Sequence, residues 1–286
     1  MSHATDAMPR IAALTVYPLK SAAGIAVTSL PLDELGAVGD RRWLLVDGAG
    51  QAITARTCHA LLRIVPRFAG VDRDGALLLD ASGLPTFTAV PPGADAGERL
   101  VEVWGDPVPA EDAGDEAADW CSAATGRACR LVRVAETARR PLKAKYAGPL
   151  DHSGRHVAFT DGAPLLLLGL PSVAALEARL REQGGYATMD RRRFRANVWL
   201  DGLAPHEEDG WRQVSIGDVT LGVGSLCVRC VLTTLDPDTQ EQGVEPLRTF
   251  AQYRRTEDGV VFGVNATHVA PGTLRVGDAV QVLARR

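Results

Sequence analysis

The sharpest chemical signal in the 286-residue sequence is a pair of cysteines, Cys227-Val228-Arg229-Cys230, running into Val231-Leu232-Thr233-Thr234-Leu235-Asp236-Pro237-Asp238. Two thiols at this spacing can share a metal, act as a redox dithiol, or be two small hydrophobes at a strand start. Zinc needs two further ligands, and the candidates Cys121 and Cys129 are eight positions apart with the first on a helix face. A redox dithiol needs the motif to open a helix, whereas residues 231–235 read as a strand. Arg229 beside Cys230 tips the reading toward function, because a cation next to a thiol favours thiolate, the soft ligand a transition metal takes. The Asp236-Pro237-Asp238 turn could cap a pocket or lie on the surface.

Three further clusters put cations at strand ends. They are Tyr17-Pro18-Leu19-Lys20-Ser21, Gly39-Asp40-Arg41-Arg42-Trp43, and Arg191-Arg192-Arg193-Phe194-Arg195-Ala196-Asn197. One such cation is ordinarily solvated. Three clusters at one end of a barrel, with a candidate metal thiolate, point instead to an anionic ligand, Arg binding phosphate as a fork and Lys as a point charge. His59, His152, His156, His206 and His268 show no metal-ligand spacing. The sequence holds no nucleophile elbow, no P-loop and no Gly-rich dinucleotide turn.

Composition narrows the classes. Lys and Arg number 31 against 35 Asp and Glu, a net charge of −4 that argues against nucleic acid as the main partner. No apolar run approaches the roughly 18–20 residues that span a bilayer, and residues 1–6 carry no signal-peptide character, so no membrane association and a cytoplasmic address are expected. Five cysteines are too few and scattered for a disulfide framework.

The elements that must position these residues are mostly strands. Short apolar runs alternate with turn signals along the chain, including Asp47-Gly48, Ser82-Gly83 and three Gly-Asp pairs ending at Asp40, Asp218 and Asp278 that read as hairpin chemistry. Helices are expected at 115–125, stopped by Gly126, at 171–183, opened by Pro171, and at 246–255. Residues 130–151 read as an exposed connector, dividing the chain into 1–134 and 135–286. The fold class is mainly β (α+β), barrel-like, with helices packed outside.

Five blocks together resemble the MOSC-domain proteins: Tyr17-Pro18-Leu19-Lys20-Ser21, Gly39-Asp40-Arg41, Phe159-Thr160-Asp161-Gly162-Ala163-Pro164, Phe194-Arg195-Ala196-Asn197, and the run from Cys227 to Thr239. The order is most similar to the branch that joins a MOSC domain to an N-terminal β-barrel region, which includes the mitochondrial amidoxime-reducing component and its bacterial relatives. The resemblance covers residues 11–283 and implies a MOSC β-barrel with the cofactor site between the two regions. It implies that Cys230 is the protein's thiolate ligand to molybdenum in a molybdenum cofactor (Mo-molybdopterin). Lys20, Ser21, Arg41 and Arg195, with Asn197 close by, match positions that hold the pterin and its phosphate. Asp161, Gly162, Ala163 and Arg229 match residues lying against the cofactor, and Asn265 falls at a further contact. Val228, Ala163 and Gln240 depart from the pattern of relatives.

The activity this implies is reduction of N-hydroxylated compounds by oxygen-atom transfer, with Asp236 a candidate proton relay or orienting residue. Since neither an iron–sulfur domain nor a membrane anchor is visible, electrons are expected from a separate ferredoxin-, flavodoxin- or cytochrome b5-type donor with its reductase. The alternative is a carrier that binds molybdenum cofactor, or passes sulfur on a cysteine such as Cys227, without turnover of its own.

Overall fold

The computed structural model describes residues 8–93, 96–185 and 188–286; residues 1–6, read above for a signal, lie outside it. One sheet of nine strands organises the molecule. Its order runs Ile25–Val27, Arg10–Val16, Val198–Asp201, Leu165–Gly169, Gly259–His268, Val219–Val228, Trp211–Ile216, Val280–Arg285, with Arg255–Thr256 added beside Gly259–His268. The strands Leu165–Gly169 and Val198–Asp201 are parallel neighbours, and the helix Leu170–Glu182 lies between them in sequence. Ladder irregularities between Val223 and Leu226 and between Leu226 and Val228 bend the strand that leads to the cysteine motif.

The run Leu165-Leu166-Leu167-Leu168 shows why this sheet is buried on both faces. Side chains alternate along a strand. Leu165 and Leu167 enter one core with Val198, Leu200 and Trp211, while Leu166 and Leu168 enter another with Trp199, Phe194, Phe250 and Phe262. Each fully buried leucine contributes about 1.5–3 kcal/mol, so truncating Leu167 to alanine breaks the sheet's register anchor at a cost of about 2–5 kcal/mol.

A five-stranded sheet, ordered Glu98–Val103, Asp106–Asp112, Arg130–Val134, Trp43–Val46, Ala52–Ile53, packs beside it, with two three-stranded sheets completing the β structure. Strands from the two sequence regions mix. Arg10–Val16 pairs with Val198–Asp201, and Ser29–Asp33 pairs with Gly272–Arg275, so a division at 134/135 leaves both regions in common sheets.

The expected helix at 115–125 is present as Asp115–Thr125, ended by Gly126 in a left-handed conformation at φ 65°. The second runs Leu170–Glu182 and the third is shorter than expected, Leu247–Tyr253. Four local expectations are corrected. Residues 231–235 are not a strand: Val231–Thr234 form a 3-10 turn, because the Thr233 and Thr234 hydroxyls return to the carbonyls of Cys230 and Val231 at 3.0 and 2.7 Å. Of the three Gly-Asp pairs only Gly217-Asp218 closes a hairpin. Strands flanking Gly277-Asp278 join different sheets, and Asp40 is occupied by tertiary bonds described below. Nor is 130–151 an exposed connector throughout, since Arg140 is buried and donates to the carbonyls of Ala158 and Thr160.

Candidate functional site

Both regions of the chain contribute walls to one cleft of about 710 Å³. Arg41, Asp161, Gly162, Ala163, Arg195, Asn197, Arg229, Cys230 and Asn265 line it, and Lys20 and Ser21 are buried just behind. Seven cations line the cleft (Arg41, Arg56, Arg140, Lys143, Lys145, Arg195, Arg229) against two carboxylates, Asp161 and Asp258. In a chain of net charge −4 this concentrates positive potential where an anion would sit.

The cations are held in place by a buried network. Asp40 accepts from the Tyr17 backbone N–H at 2.8 Å, from Asn197 Nδ2 at 3.0 Å and from Arg41 Nη1 at 2.6 Å. Asn197 Oδ1 accepts from Arg41 Nη1 at 3.1 Å, and Arg41 Nη2 donates to the Arg195 carbonyl at 3.3 Å. The Tyr17 ring meets both guanidinium groups, its centre 4.6 Å from Arg41 Cζ and 4.2 Å from Arg195 Cζ. Ser21, Arg41 and Arg195 adopt φ of 71°, 47° and 55°. For residues with a Cβ this conformation costs roughly 1–2 kcal/mol, and such strain clusters at functional sites.

The charges perturb each other. Burial, and then the like charge of Arg41, lower the Arg195 pKa to about 10. Burial also opposes charge on Arg41, but Asp40, Tyr17 and Asp161 together outweigh it and raise the guanidinium. Lys20 Nζ donates to the Phe159 carbonyl at 2.7 Å and to Asp161 Oδ1 at 2.5 Å. Burial lowers the Lys20 pKa, with Asp161 countering. For Asp161 burial acts upward, yet Lys20, Arg56 and Arg41 together hold the carboxyl below its usual range.

At the cysteine motif the structure corrects one sequence inference. Arg229 directs Nη1 to Cys227 Sγ at 3.1 Å, and Nη2 to the Phe194 carbonyl at 2.6 Å, rather than serving Cys230. In extended chain, side chains two apart share a face and neighbours do not. Cys230 itself is half-buried, precedes the 3-10 turn and lines the cleft. Asp236 does not line the cleft. Its Oδ2 accepts from Arg193 at 2.7 Å and its Oδ1 from the backbone N–H groups of Asp238 and Thr239, so it fastens the following turn. Asn265 donates to Ser225 Oγ at 3.1 Å.

Three features fit an anionic metal cofactor: the excess of cations, the accessible Cys230 thiol, and two guanidinium atoms, Arg195 Nη2 and Arg229 Nε, buried without a partner among the described residues. Among the described residues no group of three His, Cys, Asp or Glu could hold a metal ion. Cys121 and Cys129 lie buried in a different core with Cys58, and burial drives the Cys121 thiol well above its ordinary value. Arg56, Trp104, Arg140, Lys143, Lys145 and Tyr146 also line the cleft and were not singled out from sequence. Tyr17 and Asp40 stood inside quoted motifs, but their buried roles emerge only in three dimensions.

Residues 8–128 match the MOSC N-terminal beta barrel domain and residues 154–281 match the MOSC domain. The chain is 31% identical over 290 residues to mitochondrial amidoxime-reducing component 1 of Mus musculus, covering 96% of this chain and 82% of that protein. The chain belongs to the MOSC family. The Homo sapiens mitochondrial amidoxime-reducing component 1 is 30% identical, over 96% of this chain and 83% of that protein. A second group of MOSC relatives includes the molybdenum cofactor sulfurase of Oryza sativa subsp. japonica, 30% identical over 88% of this chain but only 31% of its own length. No helix among the described residues of this MOSC protein is long and apolar enough to cross a membrane.

Proposed function

We propose that this MOSC protein is a molybdenum-cofactor-dependent oxidoreductase that reduces N-hydroxylated compounds by oxygen-atom transfer. One observation carries the reading: a half-buried thiol, Cys230, opens onto the same cation-rich cleft as Arg41, Arg195 and Arg229. The names of relatives lend support, two being amidoxime-reducing components and one a molybdenum cofactor sulfurase. Bound here, the cofactor would supply two-electron redox and oxygen-atom transfer, chemistry that side chains lack.

The chain's own residues do the rest. Cys230 offers a soft sulfur donor to the metal. Arg41 and Arg195, fixed against Tyr17, would hold the pterin phosphate, and Asn197 with Asp40 keeps Arg41 aimed. Lys20 holds Asp161 at the wall, and Gly162 and Ala163 continue that wall. Ser21 and Asn265 would add hydroxyl and amide contacts. In the net reaction the substrate N–O bond breaks and its oxygen leaves as water, with two electrons and two protons entering from outside. A separate electron-donor protein of ferredoxin, flavodoxin or cytochrome b5 type, with its reductase, belongs to this reading, as does a cytoplasmic address without nucleic acid or membrane.

Purified protein assayed for molybdenum and given reduced methyl viologen should convert benzamidoxime to benzamidine. Cys230→Ala should abolish turnover while Cys227→Ala keeps the metal. Full molybdenum content without conversion of any amidoxime or hydroxylamine would overturn the enzyme reading. It would favour the second, a cofactor carrier or sulfur-transfer protein, which the contact of Arg229 with a second cleft thiol, Cys227, recommends.

A further inference from the structure

Two cations on the cleft wall are oriented by aromatic rings without a direct ion pair among the described residues, although Arg56 also acts at longer range on Asp161. Arg56 Cζ lies 4.4 Å from the centre of the Trp104 ring, and Lys145 Nζ lies 5.0 Å from that of Tyr146. Both are exposed, and among the described residues neither has a carboxylate or carbonyl partner. Their neighbours differ: Arg140 and Lys143 meet Asp106 at 3.0 and 3.3 Å, and Lys20 meets Asp161. An aromatic face orients a cation while leaving most of its charge for an incoming anion.

The two pairs converge on one point. Trp104 Nε1 donates to Asp161 Oδ1 at 3.1 Å, and the Tyr146 ring packs against Gly162, where a Cβ would come within 2.2 Å of its Cζ. Residues 161–162 are therefore flanked by Trp104 with Arg56 and by Tyr146 with Lys145. Trp104 sits at φ 56° in the two-residue turn Trp104-Gly105 that joins Glu98–Val103 to Asp106–Asp112, and it stays 43% exposed, so the hairpin tip carries the indole on the cleft wall. Two ring systems and two exposed cations around a cleft of about 710 Å³ make a receptor for a small, flat anion.

Resting on the reductase reading, we propose that this rim selects N-hydroxylated substrates whose aromatic body carries a carboxylate. Arg56 and Lys145 take the carboxylate, and Trp104 and Tyr146 flank the ring. The small-molecule reading is favoured over a protein-docking one because both cations sit on the cleft wall against aromatic rings that also line it.

The test compares 4-carboxybenzamidoxime with benzamidoxime on the holo-protein. Calorimetric titration into oxidised protein without reductant reads binding alone, and kcat/KM with reduced methyl viologen reads turnover. The carboxylated compound should be favoured by ~10-fold in both, as expected for a hydrogen bond to a charged group. Arg56→Gln and Lys145→Gln should each shrink that ratio several-fold, and added salt should shrink it too. A wild-type ratio near one, or a ratio unmoved by both variants, overturns the proposal. So does a defect of the variants seen only when a protein supplies the electrons, which would assign the rim to the donor. Conversion of neither compound, with the binding preference intact, would sink the reductase reading and leave the anion-selective rim standing.

Discussion

Asn197 donates its Nδ2 to Asp40 Oδ1 across 3.0 Å, joining residues 157 positions apart in the buried floor of the cleft. The same carboxylate accepts from the Tyr17 backbone and from Arg41. Asp40→Ala should therefore strand a buried guanidinium and an amide together. The expected loss is about 3–5 kcal/mol of unfolding free energy, the range for breaking a buried charge pair by removing one partner. Asp40→Asn, which keeps the shape and one acceptor, should lose less. Urea unfolding measures both, and equal effects would show that Asp40 acts through charge alone.

The residues of this network were readable in sequence because they sit in short blocks of cations and turn residues: Lys20-Ser21, Asp40-Arg41, Arg195 to Asn197. Their partners were not. Arg229 stands beside Cys230 in sequence but reaches Cys227 in space, since strand alternation decides which sulfur shares its face. The strand expected at 231–235 had the right β-branched residues, yet two threonine hydroxyls closed local turns instead. Trp104 and Arg56 meet because the strand Glu98–Val103 runs beside Gln51, a long-range pairing that no local pattern encodes. Asp236 was chemically conspicuous and proved to be a turn fastener.

Tyr17 offers a separate test of how the cations are held. Its hydroxyl donates to the Ala196 carbonyl across a long 3.4 Å, whereas its ring faces both Arg41 and Arg195. Tyr17→Phe should cost less than about 1 kcal/mol, a long hydrogen bond being weak. Tyr17→Leu removes two cation–ring contacts and should lower the molybdenum content of purified protein several-fold. Metal content equal in the two variants would rule out the ring as the positioning element.

Gly162 has no room for a side chain, since a Cβ would sit 2.2–2.6 Å from the Tyr146 ring atoms. Gly162→Ala should push Tyr146, and Lys145 with it, out of place and reduce kcat/KM by up to ~100-fold, the scale of losses from misplacing a positioning group by about 1 Å. Tyr146→Leu in the same chain should restore part of the loss, because the clash is gone. The double-mutant cycle reads this coupling directly. Additive losses would show that Gly162 matters for a reason other than the ring.

Away from the cleft, His206 sets an acid limit on stability. It sits at φ 64° with neither ring nitrogen partnered among the described residues, its ring 5.7 Å from that of Tyr253 and 5.9 Å from that of Phe262. Burial first, then the charges of Arg254 and Arg179, lower its pKa to about 4. An unfolded histidine titrates near 6.5, so between pH 6.5 and 4 the unfolded chain binds more protons than the fold and stability falls as pH drops. Glu208 and Asp209 beside it act oppositely, burial raising both carboxyls so that the fold takes up their protons first. Comparison with His206→Asn, which tolerates the left-handed backbone, isolates the imidazole. The wild-type urea midpoint should decline across that window while the variant's declines less. Parallel curves would mean that His206 does not set the acid response.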